Sequence, residues 1–90
     1  MSGDSPRAWL RRARALRDRR VREQEGACVV EGIRQVVSAI EGGHEIEAFL
    51  VDPARLRSDV AWESIHRATE RGAALVELPA RDMERISSRD

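Results

Sequence analysis

Arg7, Arg11, Arg12, Arg14, Arg17, Arg19, Arg20 and Arg22 crowd the start of the chain, against two acids, Asp4 and Asp18, over the same stretch. A guanidinium presents a planar fork that meets a phosphate with two parallel hydrogen bonds and also stacks on bases. Eight of them so close together make a field suited to displacing counterions from a polyphosphate. The chemistry this stretch implies is binding, and nucleic acid is the partner it favours, although charge does not separate RNA from DNA. Three blander readings compete: a solvated helix face, a basic arm lying on an acidic protein surface, and a helix lying on an anionic membrane. Against the membrane, the apolar face of this stretch is narrow and carries one Trp, Trp9.

Residues that could do catalysis are sparse. Cys28 falls inside the apolar run Ala27–Val30, where a thiol is expected to be buried and inert. His44 follows Gly43 in a loop and His66 falls on a helix; with Cys28 they have no metal-ligand spacing, so no metal site is expected. Glu41, Glu45 and Glu47 gather near His44 and read as a solvated loop. Gly42-Gly43 lacks the Lys-Ser/Thr of a phosphate-binding loop, and no GxGxxG follows a strand. No catalytic residue is assigned.

The elements that must position the arginines follow from periodicity. All 16 basic residues are Arg, balanced by 16 acids; from Glu23 onward acids outnumber bases 14 to 8, so a basic arm joins an acidic body. The length of 90 residues allows one domain with a modest core, built from Val, Ile, Leu and Ala because the only aromatics are Trp9, Phe49 and Trp62. A single Cys excludes an internal disulfide and sets a reducing, cytoplasmic location as the expectation. No apolar stretch approaches the ~18 residues of a membrane span, and the start lacks the apolar core of a secretory signal.

Met1 to Pro6 reads as a disordered start. The spacing then predicts one helix from Arg7 to Glu23, with Trp9, Ala13 and Leu16 on one face and Leu10 at its border. Arg7, Arg11, Arg14 and Arg22 run along the opposite side, broken once by Asp18, and Arg12 and Arg19 form a second row. Gly26 ends it. Ala27-Cys28-Val29-Val30 is predicted as a first strand, covered on both faces, turning at Glu31-Gly32. Ile33, Val36, Val37 and Ile40 mark an amphipathic helix stopped by Gly42-Gly43. A second strand, Ile46 with Ala48–Val51, turns at Asp52-Pro53; Ser58 or Asp59 caps the next helix, whose inward residues are Ala61, Trp62, Ile65, Ala68 and Thr69. After Gly72, Ala74–Leu78 is a third strand and Pro79 opens a last helix through Met83 and Ile86. Such alternation of helix and strand predicts an α/β fold with a parallel sheet.

The order of these segments resembles the substrate-binding domain of SpoU/TrmH-type RNA 2′-O-ribose methyltransferases. There, a Leu-Arg-rich helix precedes a strand ending in Val-Glu-Gly; the parallels are Leu16-Arg17 through Arg22, then Val30-Glu31-Gly32, then Arg34 on the following helix. Phe49-Leu50-Val51, Leu75-Val76-Glu77-Leu78 and Met83-Glu84-Arg85-Ile86-Ser87 match the family layout, and the resemblance runs over residues 7–88. Ala27 departs from it, standing where the family often has an aromatic. The resemblance implies a three-layer α/β/α sandwich like that of ribosomal and kink-turn-binding RNA proteins, with the Arg-rich helix at its N-terminal end. Residues 7–90 would recognise structured RNA, commonly ribosomal. S-adenosylmethionine would be held by a separate knotted catalytic domain C-terminal to Asp90, and a fourth strand from beyond Asp90 would lie antiparallel between the first two. Without that strand, the chain is expected to fill the gap by association, for example as a homodimer.

Together, charge and resemblance mark Arg7, Arg11, Arg12, Arg14, Arg19, Arg22 and Arg34 as RNA-binding, with Glu31 and Gly32 as a turn motif. Glu31 is weighted toward orienting the turn, since a carboxylate repels phosphate. Two alternatives stand beside this: a free-standing ribosomal or kink-turn-type RNA-binding protein, and a protein-docking module that uses the Arg-rich helix.

Overall fold

The computed structural model describes residues 5–87, which form five helices and two strands. Residues 1–4, the larger part of the expected disordered start, lie outside the described residues, as do residues 88–90. Helix α1 (Pro6–Ala15) begins earlier than the periodicity predicts. Ser5 caps it by accepting from the Ala8 N–H at 3.1 Å, and Pro6 occupies the first turn, where its missing N–H is harmless.

The expected single Arg-rich helix is two. Helix α1 closes at Leu16, and α2 (Arg19–Glu25) starts afresh after Asp18. Asp18 is extended (φ −82°, ψ 125°), and its carboxylate accepts from the Arg20 N–H at 2.8 Å, so the residue that interrupted the Arg stripe is the N-cap of a new helix. Arg22 reaches back to the carbonyls of Leu16 (3.0 Å) and Arg17 (2.8 Å), satisfying acceptors freed where α1 stops. Gly26, at φ 65°, ends α2 in the left-handed conformation that favours glycine.

The predicted first strand does not form. Residues 27–31 are irregular, and Cys28, expected to be buried, is exposed together with Val29 (37%) and Val30 (44%). An apolar run becomes a strand only against a neighbour that completes its backbone hydrogen bonds, and none of the described strands lies beside it. The sheet therefore has two strands among the described residues, where three were expected.

Helix α3 (Ile33–Glu41) follows Gly32 and ends at Gly42, as the spacing predicts. Strand β1 (Ala48–Val51) pairs in parallel with β2 (Ala74–Glu77), Ala48 opposite Ala74 and Val51 opposite Glu77. Ile46 precedes β1 and Leu78 follows β2, although the Leu78 N–H still donates to Val51 at 2.7 Å. Between the strands runs α4 (Asp59–Glu70), capped by Ser58 through the Ala61 N–H at 3.2 Å; α5 (Ala80–Ser87) comes last.

Alternate residues of a strand point to opposite sides, and the core divides accordingly. Leu50, Ala74 and Val76 pack with Leu10 and Ala13 of α1 and Met83 and Ile86 of α5. Phe49 and Val51 pack with Ile65 and Ala68 of α4 and Val36 and Ile40 of α3. The result is a small α/β fold in which α1, the carrier of the free arginines, is anchored to the sheet by its apolar face.

Candidate nucleic-acid interface

The interface is built on α1. Leu10 and Ala13 turn inward and are buried; Arg7, Arg11 and Arg14 turn outward and are exposed. At about 100° per residue the three Cα–Cβ directions fall within about 60° of one another, one row on one face. None of the three has an ion pair or a side-chain hydrogen bond among the described residues, so each guanidinium keeps all of its donors available. Arg20 on α2 is equally exposed and unpaired, a cation outside the expected set.

The other expected RNA-binding arginines have work inside the protein. Arg12 donates to Glu25 at 2.6 Å and, through its second terminal nitrogen, to both carboxylate oxygens of Glu47 at 3.0 Å. One guanidinium thus fastens α1 to the end of α2 and to the residue before β1. The hydrogen bond from Arg12 to Glu25 raises the Arg12 pKa above its ordinary value; burial works against this, and the charge of Glu47 adds to it. Arg22 is spent on the Leu16 and Arg17 carbonyls. Arg19 pairs with Glu23 one turn along α2 at 3.1 Å, both side chains well exposed. Nothing in the spacing of the arginines separates these from the free ones. The signal available in the sequence was Asp18, a capping residue in the middle of a supposed helix.

Arg34 lies exposed in the first turn of α3. Glu31 is exposed beside Gly32, which adopts φ 90° as the residue before α3 and so needs the freedom of glycine. An open cleft of about 1430 Å³ runs between residues 27–33 and β1. Arg12, Arg19, Arg22, Glu31 and Gly32 line it, whereas Arg7, Arg11, Arg14 and Arg34 do not. The expected site residues are therefore in three places: the outer face of α1, the wall of the cleft and the start of α3.

No group of three or more His, Cys, Asp or Glu gathers to hold a metal ion among the described residues. No helix among them is long and apolar enough to cross a membrane. Comparison with curated proteins and with solved structures found no match to this chain. A family model does match, over residues 8–90, and its description is the MRM3-like substrate binding domain. That match agrees with the resemblance drawn from Val30-Glu31-Gly32 and the Arg-rich stretch, and it is consistent with the N-terminal substrate-binding domain of a SpoU-type 2′-O-methyltransferase. The substrate such a domain binds is RNA, in the service of an RNA methyltransferase. The chain belongs to the MRM3-like substrate-binding domain family.

Proposed function

We propose that this chain positions ribosomal RNA for S-adenosylmethionine-dependent methylation of a ribose 2′-hydroxyl, in the cytoplasm, with the methyl donor and the chemistry on a separate knotted domain. The observation that carries this reading is the row Arg7, Arg11 and Arg14, unpaired on a helix whose other face is locked into the core. Rigid placement of phosphate-binding donors is what a substrate-positioning surface needs. The helices packed on both sides of the β1–β2 pair are in keeping with a three-layer sandwich of the kink-turn-protein kind. This chain's part is to bind and orient RNA, and no step is derived through the methyl donor. In keeping with that division, Glu47 in the cleft is held by Arg12, and Val29, Val30 and Ile33 line the opposite wall with apolar side chains.

The test is RNA binding as a function of salt. Replacing Arg7, Arg11 and Arg14 together by Gln should weaken binding and flatten the slope of log K against log salt by roughly 0.7–0.9 for each phosphate no longer neutralised. Arg12→Gln should leave that slope nearly unchanged, because its charge is already matched by Glu25 and Glu47. A slope that does not respond to the triple replacement moves the interaction off α1. Tighter binding to an acidic protein surface than to RNA would favour the docking-module alternative.

The chain is also proposed to form a homodimer. It carries a strand edge on β1 with no strand beside it among the described residues, and an unpaired apolar segment at Ala27–Val30. Two copies related by a two-fold axis can exchange these features reciprocally.

A further inference from the structure

We infer that the basic face of α1 takes base-paired RNA, gripped by its phosphates along an A-form helix, and not unpaired nucleotides. This rests on the RNA-binding reading of that same face and names the class of RNA. Proteins that bind unpaired RNA stack its bases on aromatic rings and read the edges with amide and hydroxyl groups, whereas duplex RNA is recognised through its shape, phosphates and 2′-hydroxyls.

The protein is equipped for the second task and not for the first. Phe49 is 6% exposed and sits in the core. Trp9 is half-buried, packed against Leu10 and its neighbours on the inward side of α1. Trp62 lies on α4, across the sheet from α1, and its indole N–H is engaged with the Leu56 carbonyl at 2.7 Å. The chain has no Tyr and no Asn. The residues that α1 exposes are Pro6, Arg7, Arg11, Arg14 and Ala15, so no Gln, Ser or Thr side chain stands beside the Arg row to read a base edge. What remains is a line of guanidinium forks spanning about 10 Å of helix axis at a rise of ~1.5 Å per residue. Such a line follows a regular backbone and is indifferent to sequence.

The experiment titrates the purified 90-residue chain, by fluorescence anisotropy, against an RNA duplex of about 16 base pairs, a length that presents two successive minor grooves. Each of its unstructured single strands and the DNA duplex of the same sequence are titrated alongside. The RNA duplex should bind about tenfold more tightly than either strand and more tightly than the DNA, and a second RNA duplex of unrelated sequence should bind equally well. The Arg7→Gln, Arg11→Gln, Arg14→Gln variant should lose the preference while its circular dichroism stays that of the parent, since all three side chains are exposed. Equal or tighter binding to the single strands, still sensitive to the triple variant, overturns the duplex inference and leaves RNA binding by α1 in place. Equal binding of the DNA duplex overturns the A-form preference. Failure to bind any of the RNAs brings down both this inference and the reading beneath it.

Discussion

Arg12 and Arg14 are two residues apart, and they do opposite things. Arg14 projects into solvent, while Arg12 is shared between carboxylates 13 and 35 positions away in the chain. A half-exposed pair of ion bridges from one guanidinium is worth on the order of 1 kcal/mol, the bidentate geometry with Glu47 placing it above the median surface pair. Arg12→Ala is expected to lower the urea midpoint by that amount. A double-mutant cycle with Glu25→Ala should return a coupling of about 0.5–1 kcal/mol. Zero coupling would show that Arg12 stabilises only through its aliphatic stem. Residue types alone marked both arginines as phosphate ligands; the partners that divide them are non-local and leave no trace in the spacing.

At the scale of elements, the helices were legible and the first strand was not. Ile33, Val36, Val37 and Ile40 predicted α3, and Ser58 predicted the start of α4, because helix hydrogen bonds and caps close within four residues. The apolar run at Ala27–Val30 carried the composition of a covered strand, yet the structure leaves it irregular beside β1's unpaired edge. Exposed apolar segments next to an open edge invite another chain. Light scattering should therefore show a mass that rises toward that of a dimer with concentration. Val30→Asp, at a 44% exposed position, should shift the curve back toward monomer without unfolding the protein. A mass that stays monomeric at every concentration would sink the dimer.

For the whole molecule, a Cα radius of gyration of 12.7 Å stands close to the ~12 Å of a compact domain of this length, so the cleft is a notch in an otherwise closed body. With only two strands among the described residues, much of the stability must come from the two apolar clusters. Phe49 is 6% exposed at the centre of one of them. Phe49→Ala is expected to cost about 3–5 kcal/mol, a large share of the roughly 5–15 kcal/mol typical of a native domain. Val60→Ala, at a 67% exposed position on α4, should stay within about 0.5 kcal/mol. Thermal unfolding of the two variants checks the contrast, and equal midpoints would mean that the cluster around Phe49 is not the core.

What closes locally could be read from the chain: α3, α4, α5, the two strands that pair, the stops at Gly26, Gly42 and Gly72, and a basic arm on an acidic body. The order of its short motifs was enough to indicate the family, since motif order survives whatever the packing does. Three-dimensional packing settled the rest. It split the Arg-rich helix, because Asp18 and Arg22 together satisfy the backbone groups at the break, and side-chain rows do not reveal such partners. It left Ala27–Val30 unpaired, because a strand's hydrogen bonds depend on a neighbour brought from elsewhere in space. And it chose Arg7, Arg11 and Arg14 as the free cations, because whether a charge is available to a partner depends on which carboxylates the fold brings within reach.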